Sequence, residues 1–371
     1  VLDARRELLS LLDGDDAYLP VPAGDRRTTA LLTQHLGAGA PIDDRCALVI
    51  STSGTTGIPK GAMHSAETLR ASAEGTAELL GGPGSWLLAL PPHHIAGLQV
   101  LLRSLAAGYS PVVVDVSSGF DPRTLPAAVE ALPGPRRYTS LVPLQLRKAL
   151  DDPDATRALA RLDAILVGGA ATPPPLAAAA RSAGLRVVRT YGMSETAGGC
   201  VYDGVPLPGV RVRIAERGPD GVGRVELGGS TTALGYRNLP DHPAFAEPGW
   251  FRTDDLGAVD DGVLRITGRA DEAISTGGLT VVPQVVEAVV ESLAGVAACA
   301  VFAVPDDRLG EAVAVAVVPD ANPPTAAQVR DAVTARLGRH AAPRRVVVVD
   351  DLPLRGPGKV DRRRLREMHT G

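Results

Sequence analysis

The chain has 371 residues, 45% of them hydrophobic and 22% charged, a balance that suits two or three globular domains with a sizeable core. Its formal net charge of −4 argues against nucleic acid or an anionic membrane as a partner. Three widely spaced cysteines exclude a disulfide scaffold and a cysteine zinc site. No window of about 18 residues is apolar enough to span a bilayer, and no signal-peptide pattern opens the chain, so a cytoplasmic protein without membrane insertion is expected.

In chain order, the spacing predicts helices over Ala4–Leu12 and Thr28–Leu36, then a buried strand at Cys46–Ile50. A Gly/Ser/Thr-rich loop follows, Ser51-Thr52-Ser53-Gly54-Thr55-Thr56-Gly57-Ile58-Pro59-Lys60-Gly61, and then a helix from about Ser65 to Leu80. Strand, hydroxyl-rich loop and helix form a layout for phosphate, because glycines admit the anion, N–H and O–H groups donate to it, and a lysine adds charge. The spacing is not that of a Walker A loop, and an ordinary turn is the competing reading. Strand-like runs (Trp86–Leu90, Pro111–Val116, Tyr138–Val142, Ala164–Val167, Arg186–Thr190) then alternate with helical ones (Pro122–Leu132, Leu144–Leu150, Pro174–Ala183). This alternation predicts parallel sheet covered by helices on both faces. From Val210 the period becomes two, which predicts an antiparallel sheet or small β-barrel over about 205–268, with a hairpin turn at Asp260-Asp261-Gly262. A boundary near Asp271 precedes a further α+β unit of about 100 residues, so the expected domains are 1–270 and 271–371.

Several constellations could carry chemistry. Thr190-Tyr191-Gly192-Met193-Ser194-Glu195-Thr196 ends a strand, where open parallel sheets place ligands. Tyr191 offers a face to a purine, Glu195 an oxygen to Mg²⁺ and Thr196 a hydroxyl to phosphate; the competing reading is a capped turn. Asp254-Asp255 could accept from a ribose diol or form a turn, and Gly277-Gly278 could let a ligand chain pass or serve as a linker. Only three of 38 basic residues are lysine, and Lys60 and Lys359 sit in Gly/Pro loops. His93-His94 lacks further metal ligands at useful spacing and reads better as pocket lining. Arg103 falls in the apolar run Ile95–Ala107, where a charge is costly unless paired; it is either a snorkelling or internally paired arginine or the counter-ion of an anionic substrate.

STSGTTGIPKG, HHIAG, YGMSET, FRTDDLG, GRADEAISTGG and PLRGPGKVDR, in this order over about 45–365, resemble the adenylate-forming superfamily of acyl-CoA synthetases. The resemblance implies an α/β fold, a large N-terminal domain with a small β-barrel followed by a small mobile C-terminal domain. It also implies ATP, Mg²⁺ and coenzyme A acting on a small carboxylic acid, and it admits a homodimer. By the same resemblance Ser51, Thr52, Ser53, Gly54, Thr55, Thr56, Gly57 and Lys60 hold the β,γ-phosphates, and Gly168, Gly169, Ala170, Tyr191 and Gly192 the adenine. Glu195 binds Mg²⁺ and Thr196 phosphate. Asp255 and Arg269 hold ribose, with Asp254 left open as the alternative because the superfamily has Gly at that position. Asp271 is the hinge, Lys359 the catalytic cation, Gly277 and Gly278 the pantetheine path, and His94 borders the acid pocket. The usual aromatic before that histidine is His93, which implies a more polar wall.

Short length for the superfamily, with LPPHHIAGLQVLLRSL, RRYTSLVP and ISTGGLTVVPQVVE, is similar to the o-succinylbenzoate-CoA ligases of menaquinone biosynthesis, actinobacterial type. Their acid is a dicarboxylate, which implies Arg103 as counter-ion, with Thr139, Ser140 and Met193 as further pocket residues. Left open are another aryl- or acyl-acid ligase, an enzyme loading a carrier protein, and a nucleotide-binding regulator without catalysis.

Overall fold

The computed structural model describes residues 4–52, 59–320, 322–355 and 359–369. Helices α1 (Arg5–Asp13) and α2 (Arg26–His35) lead to a hairpin of β1 (Leu48–Thr52) and β2 (Lys60–His64). The strands pair antiparallel from Leu48↔His64 to Thr52↔Lys60. The Ser/Thr/Gly loop therefore returns into a second strand, where sequence reasoning expects it to feed a helix directly. Lys60-Gly61-Ala62-Met63-His64 is too short for a clear period of two, and its glycine disguises it. Gly61 is required there, because a Cβ would stand 2.7 Å from the Val49 side chain. Only after β2 does α3 (Ala66–Leu79) begin, with the Ser65 hydroxyl accepting from Thr68 N at 3.2 Å.

Next come β3 (Ser85–Leu88), α4 (Ile95–Ala106), β4 (Val112–Val113), α5 (Leu125–Glu130), β5 (Arg137–Leu141), α6 (Pro143–Leu150), α7 (Pro153–Leu159), β6 (Ala164–Val167), α8 (Pro174–Ser182), β7 (Val187–Met193), β8 (Gly198–Tyr202) and β9 (Val205–Pro206). They form a seven-stranded sheet in the order β4-β3-β5-β6-β7-β8-β9. The pairs from β4 to β7 are parallel, as expected, but β8 and β9 run antiparallel. Alternation along the strands divides the core. Leu87, Leu141, Ile165 and Val167 pack with α5–α8 residues such as Leu125, Leu146, Leu159 and Leu176. Trp86, Leu88, Tyr138 and Leu166 face Val100 and Leu101 of α4. Helix α4 is apolar nearly all round, as suits a helix buried on every side.

Strands β10 (Val210–Ala215), β11 (Gly223–Gly229), β13 (Trp250–Asp260) and β14 (Val263–Arg269) make an antiparallel sheet, while β12 (Gly235–Tyr236) joins the β1-β2 hairpin. The β13-β14 turn has φ 49° at Asp261 and 80° at Gly262, the two positive values that a two-residue hairpin turn needs. Leu264 N donates to Gly204 O at 2.8 Å, tying this sheet to the β8-β9 hairpin.

The last unit contains β15 (Ile274–Thr276), β16 (Leu279–Val281), α9 (Pro283–Glu291), β17 (Val296–Asp306), β18 (Gly310–Pro319), α10 (Ala326–Leu337), β19 (Arg345–Val348), β20 (Leu354–Arg355), β21 (Lys359–Val360) and α11 (Arg362–His369). Its sheet buries Val301, Val313 and Val315 against α9 and α10, and Phe302 and Ala314 on the face that takes Leu365 of α11. Among the described residues no helix is long and apolar enough to cross a membrane.

Candidate active site

The site assembles around the β1-β2 hairpin with β12, the turn that follows β7, and the middle of β13. Ser53, Gly54, Thr55, Thr56 and Gly57 lie outside the described residues, but both ends of their loop are held by the Thr52↔Lys60 pair. The exit is pinned by Asn238, whose Nδ2 donates to Pro59 O (2.9 Å) and whose Oδ1 accepts from Gly61 N (3.1 Å). Arg237 beside it donates Nε to Leu36 O (2.6 Å) and Nη2 to Gly37 O (2.9 Å), joining β12 to the end of α2. Lys60 Nζ stands 4.6 Å from the centroid of the Tyr236 ring. The Tyr236 hydroxyl donates to Glu195 Oε1 at 2.6 Å, and burial, reinforced by the Glu195 charge, pushes its pKa far up, so it stays a donor. Glu195 is thus a buried carboxylate facing the root of the phosphate-type loop.

The turn that carries Glu195 is built from below. His64 is fully buried, and its Nε2 lies 2.6 Å from the Ser194 carbonyl, where the N–H donates. Burial lowers its pKa to about 4, partly opposed by this bond, and the imidazole is neutral. Gly192 has no substitute, because a Cβ would sit 2.0 Å from Gly198 O. Thr196 is where sequence reasoning needs correcting. Its hydroxyl accepts from Met193 N (3.0 Å) and donates to Gly198 O (2.9 Å), fully buried. That hydroxyl closes the turn and is not presented to a phosphate; the half-buried hydroxyl of the turn is that of Ser194.

On the neighbouring sheet the two aspartates separate by strand alternation. Asp254 points to the exposed side and pairs with Arg224 Nη1 at 2.9 Å. Asp255 points inward, accepting from the Tyr191 hydroxyl at 2.6 Å and from Arg269 Nη1 at 3.3 Å. Burial and then the Asp255 charge hold the Tyr191 pKa well above its ordinary value. The Arg269 fork also grips Asp271, with Nε and Nη2 each 2.8 Å from a carboxylate oxygen. Gly168, Gly169 and Ala170 follow β6 beside this cluster, and a Cβ on Gly168 would meet Thr190 Oγ1 at 2.3 Å. Gly277 and Gly278, with φ 57° and 80°, turn β15 into β16 at an exposed bend. Strand β21 starts at Lys359, whose side chain lies outside the described atoms.

Beside the Glu195 turn lies α4, which begins at its N-cap His94. The His93 and His94 rings stand 4.3 Å apart. Arg103 is 7% exposed, with no carboxylate within 4.0 Å among the described residues. Its Nη2 is 3.5 Å from Ser72 Oγ, its guanidinium 5.3 Å from the Trp86 ring centroid, and its Nε has no partner among the described residues. Gln99, one turn earlier, is 1% exposed, and its amide likewise has no partner among the described residues. Sequence reasoning passed over it, although a second polar residue on an apolar helix at i−4 from Arg103 was the available signal. Ser140 and Met193 are half-buried at strand ends, whereas Thr139 is fully buried and donates its hydroxyl to Leu87 O (2.9 Å). It ties β5 to β3 and is not pocket lining. Among the described residues no group of three His, Cys, Asp or Glu side chains could hold a metal alone. The buried Glu195 carboxylate suits Mg²⁺, which takes one or two carboxylates together with substrate phosphates.

Known proteins are similar in both sequence and fold. A family profile described as AMP-binding enzyme matches residues 9–237, and one described as AMP-binding enzyme C-terminal domain matches 285–359. A probable 2-succinylbenzoate–CoA ligase of Mycobacterium tuberculosis is 56% identical over 358 residues, covering 94% of this chain and 92% of that one. The 2-succinylbenzoate–CoA ligase of Salmonella typhimurium is 33% identical, covering 96% and 75%. The Bacillus subtilis o-succinylbenzoate CoA synthetase, solved with its acyl-adenylate intermediate, superposes with a TM-score of 0.75 at 28% identity, covering 88% of this chain and 70% of that one. ATP-bound MatB from Rhodopseudomonas palustris gives 0.78 at 27%, covering 89% and 69%.

Proposed function

The chain belongs to the AMP-binding enzyme family, and from that premise we propose that it is an acid–thiol ligase that activates 2-succinylbenzoate with ATP and transfers the acyl group to coenzyme A. The observation that carries the choice of acid is Arg103, a buried guanidinium with no acid partner among the described residues, beside the Glu195 turn. A dicarboxylate keeps one carboxylate after the other is activated, and a buried cation is what the remaining one needs. A monocarboxylic acid would leave Arg103 uncompensated.

In the first half-reaction one carboxylate oxygen attacks the α-phosphorus, the bond to the bridging oxygen breaks, and pyrophosphate leaves. Residues Ser51 to Lys60 wrap the β,γ-phosphates. Tyr191 and the Gly168–Ala170 segment frame the adenine, and Asp255 with Arg269 holds the ribose. The Ser194 hydroxyl takes the phosphate role first assigned to Thr196. Glu195 would hold Mg²⁺ together with the triphosphate, and there it would supply charge neutralisation for the leaving group. Lys359 adds a cation where carboxylate and phosphate meet. His94 borders the acid. In the second half-reaction the thiol of coenzyme A attacks the acyl carbon and AMP leaves. The unit from 271 onward turns about Asp271, withdrawing Lys359 and bringing Gly277-Gly278 alongside the pantetheine. Arg269, which grips both Asp255 and Asp271, links the ribose site to that hinge.

The test is thioester formation with ATP, Mg²⁺ and coenzyme A across a panel of acids: 2-succinylbenzoate, benzoate, salicylate, a cinnamate and a medium-chain fatty acid. Turnover confined to 2-succinylbenzoate is expected. Preference for a monocarboxylic acid would overturn the reading of Arg103 and of the substrate.

A further inference from the structure

Helix α4 carries Gln99 and Arg103 into an otherwise apolar interior, four residues and one turn apart. Neither Nε2 nor Oε1 of Gln99 has a hydrogen-bond partner among the described residues, and Arg103 Nε has none either. Buried amides in folded proteins are nearly always paired, so an amide 1% exposed with both ends open points to a ligand that completes it. Gln99 packs on Gly198, its Cγ 3.6 Å from where a Cβ on that glycine would stand. Gly198 follows the Glu195 turn by three residues, and Ala197 beside it accepts from Ser72, the hydroxyl that Arg103 approaches. Gln99 and Arg103 therefore both lie against the main chain that leaves the Glu195 turn, Gln99 at Gly198 and Arg103 through Ser72 at Ala197.

We infer that Gln99 is a specificity residue that donates Nε2–H to a neutral carbonyl in the middle of the acid, the ketone of 2-succinylbenzoate. This rests on the ligase reading above. Along α4 the order from its N-cap is His94, which borders the acid, then amide, then guanidinium. Along 2-succinylbenzoate, with the succinyl carboxylate as the reacting end, the order is carboxylate, ketone, ring carboxylate. The two sequences match in charge as well, with a neutral donor for the neutral acceptor and a cation for the anion. A ligand that meets both groups orders two side chains that stand open among the described residues.

The experiment compares kcat/KM for 2-succinylbenzoate and for 2-(3-carboxypropyl)benzoate, in which a methylene replaces the ketone. The wild-type enzyme should favour the keto acid by at least about tenfold, since a site built to hydrogen-bond a group rejects the analogue lacking it. In Gln99→Leu that ratio should fall towards one, through loss with the keto acid. Arg103→Met should lower both acids together and keep the ratio. Thermal unfolding of Gln99→Leu should occur at the wild-type temperature or above it, because the change removes an unpartnered buried amide. A wild-type ratio in Gln99→Leu, or a clearly lower unfolding temperature, overturns the proposal. A wild-type enzyme inactive on both acids but active on another would overturn the ligase reading of the substrate and this proposal with it, a result distinct from an unchanged ratio.

Discussion

Arg103 is a charge carried into an apolar helix without a carboxylate to meet it among the described residues, and this shortage is what the substrate reading explains. Replacing it with methionine keeps the volume and removes the cation. Arg103→Met is expected to raise KM for 2-succinylbenzoate about 10- to 100-fold, the range of a hydrogen bond to a charged group, while KM for ATP stays constant. Steady-state kinetics with each substrate varied in turn checks this, and an unchanged acid KM would sink the assignment. His64 gives a second prediction at this scale. Its pKa falls from 6.5 to about 4 on folding because burial disfavours the cation. The unfolded chain therefore binds the extra proton between those values. The stability His64 protects is fully present above pH 6.5 and is lost as pH falls towards 4, by about 3 kcal/mol at most. His64→Gln should flatten the fall in urea-unfolding free energy between pH 6.5 and 5; an equally steep fall would contradict the buried neutral imidazole. Arg103 was legible in the sequence because a lone cation interrupts an apolar run. Gln99 was not, because an uncharged amide interrupts it less. Thr196 was misread because a hydroxyl beside Glu195 looks the same in sequence whether it faces a ligand or closes its own turn.

At the scale of elements, the phosphate-type loop is the tip of a hairpin, and its anchoring depends on residues far away in sequence. Asn238 holds the loop exit through two hydrogen bonds. Asn238→Ala should raise KM for ATP about 5- to 30-fold, roughly 1 kcal/mol for each bond, and leave the acid KM near its wild-type value. An equal effect on both substrates would mean that the residue supports the fold generally. The six motifs were legible as an ordered set, and strand alternation at Thr253-Asp254-Asp255 confirms Asp255 as the inward carboxylate. What the sequence hid is contact between distant segments: Asn238 with Pro59, Tyr236 with Glu195, His64 with Ser194. None has a local pattern: the first follows from β12 pairing with β2, and the other two join that sheet to the turn after β7 of the seven-stranded sheet. The return strand β2 was hidden for the related reason that five residues with an internal glycine carry too little periodicity.

At the scale of the whole molecule, the two half-reactions require two arrangements of one chain, with Lys359 serving only the first. Lys359→Ala should slow adenylate formation about 100- to 1000-fold, the usual cost of losing one group that stabilises transition-state charge. The same variant should convert chemically prepared acyl-adenylate to thioester at close to the wild-type rate. Equal loss in both half-reactions would place Lys359 outside the alternation and leave the hinge at Asp271 without its purpose. The most direct measurement of the central claim is exchange of labelled pyrophosphate into ATP in the complete absence of coenzyme A. Exchange should occur and depend on 2-succinylbenzoate and on Mg²⁺, because the adenylate forms reversibly before any thiol is needed. No exchange without coenzyme A, alongside thioester formation in its presence, would contradict it and point to a concerted transfer.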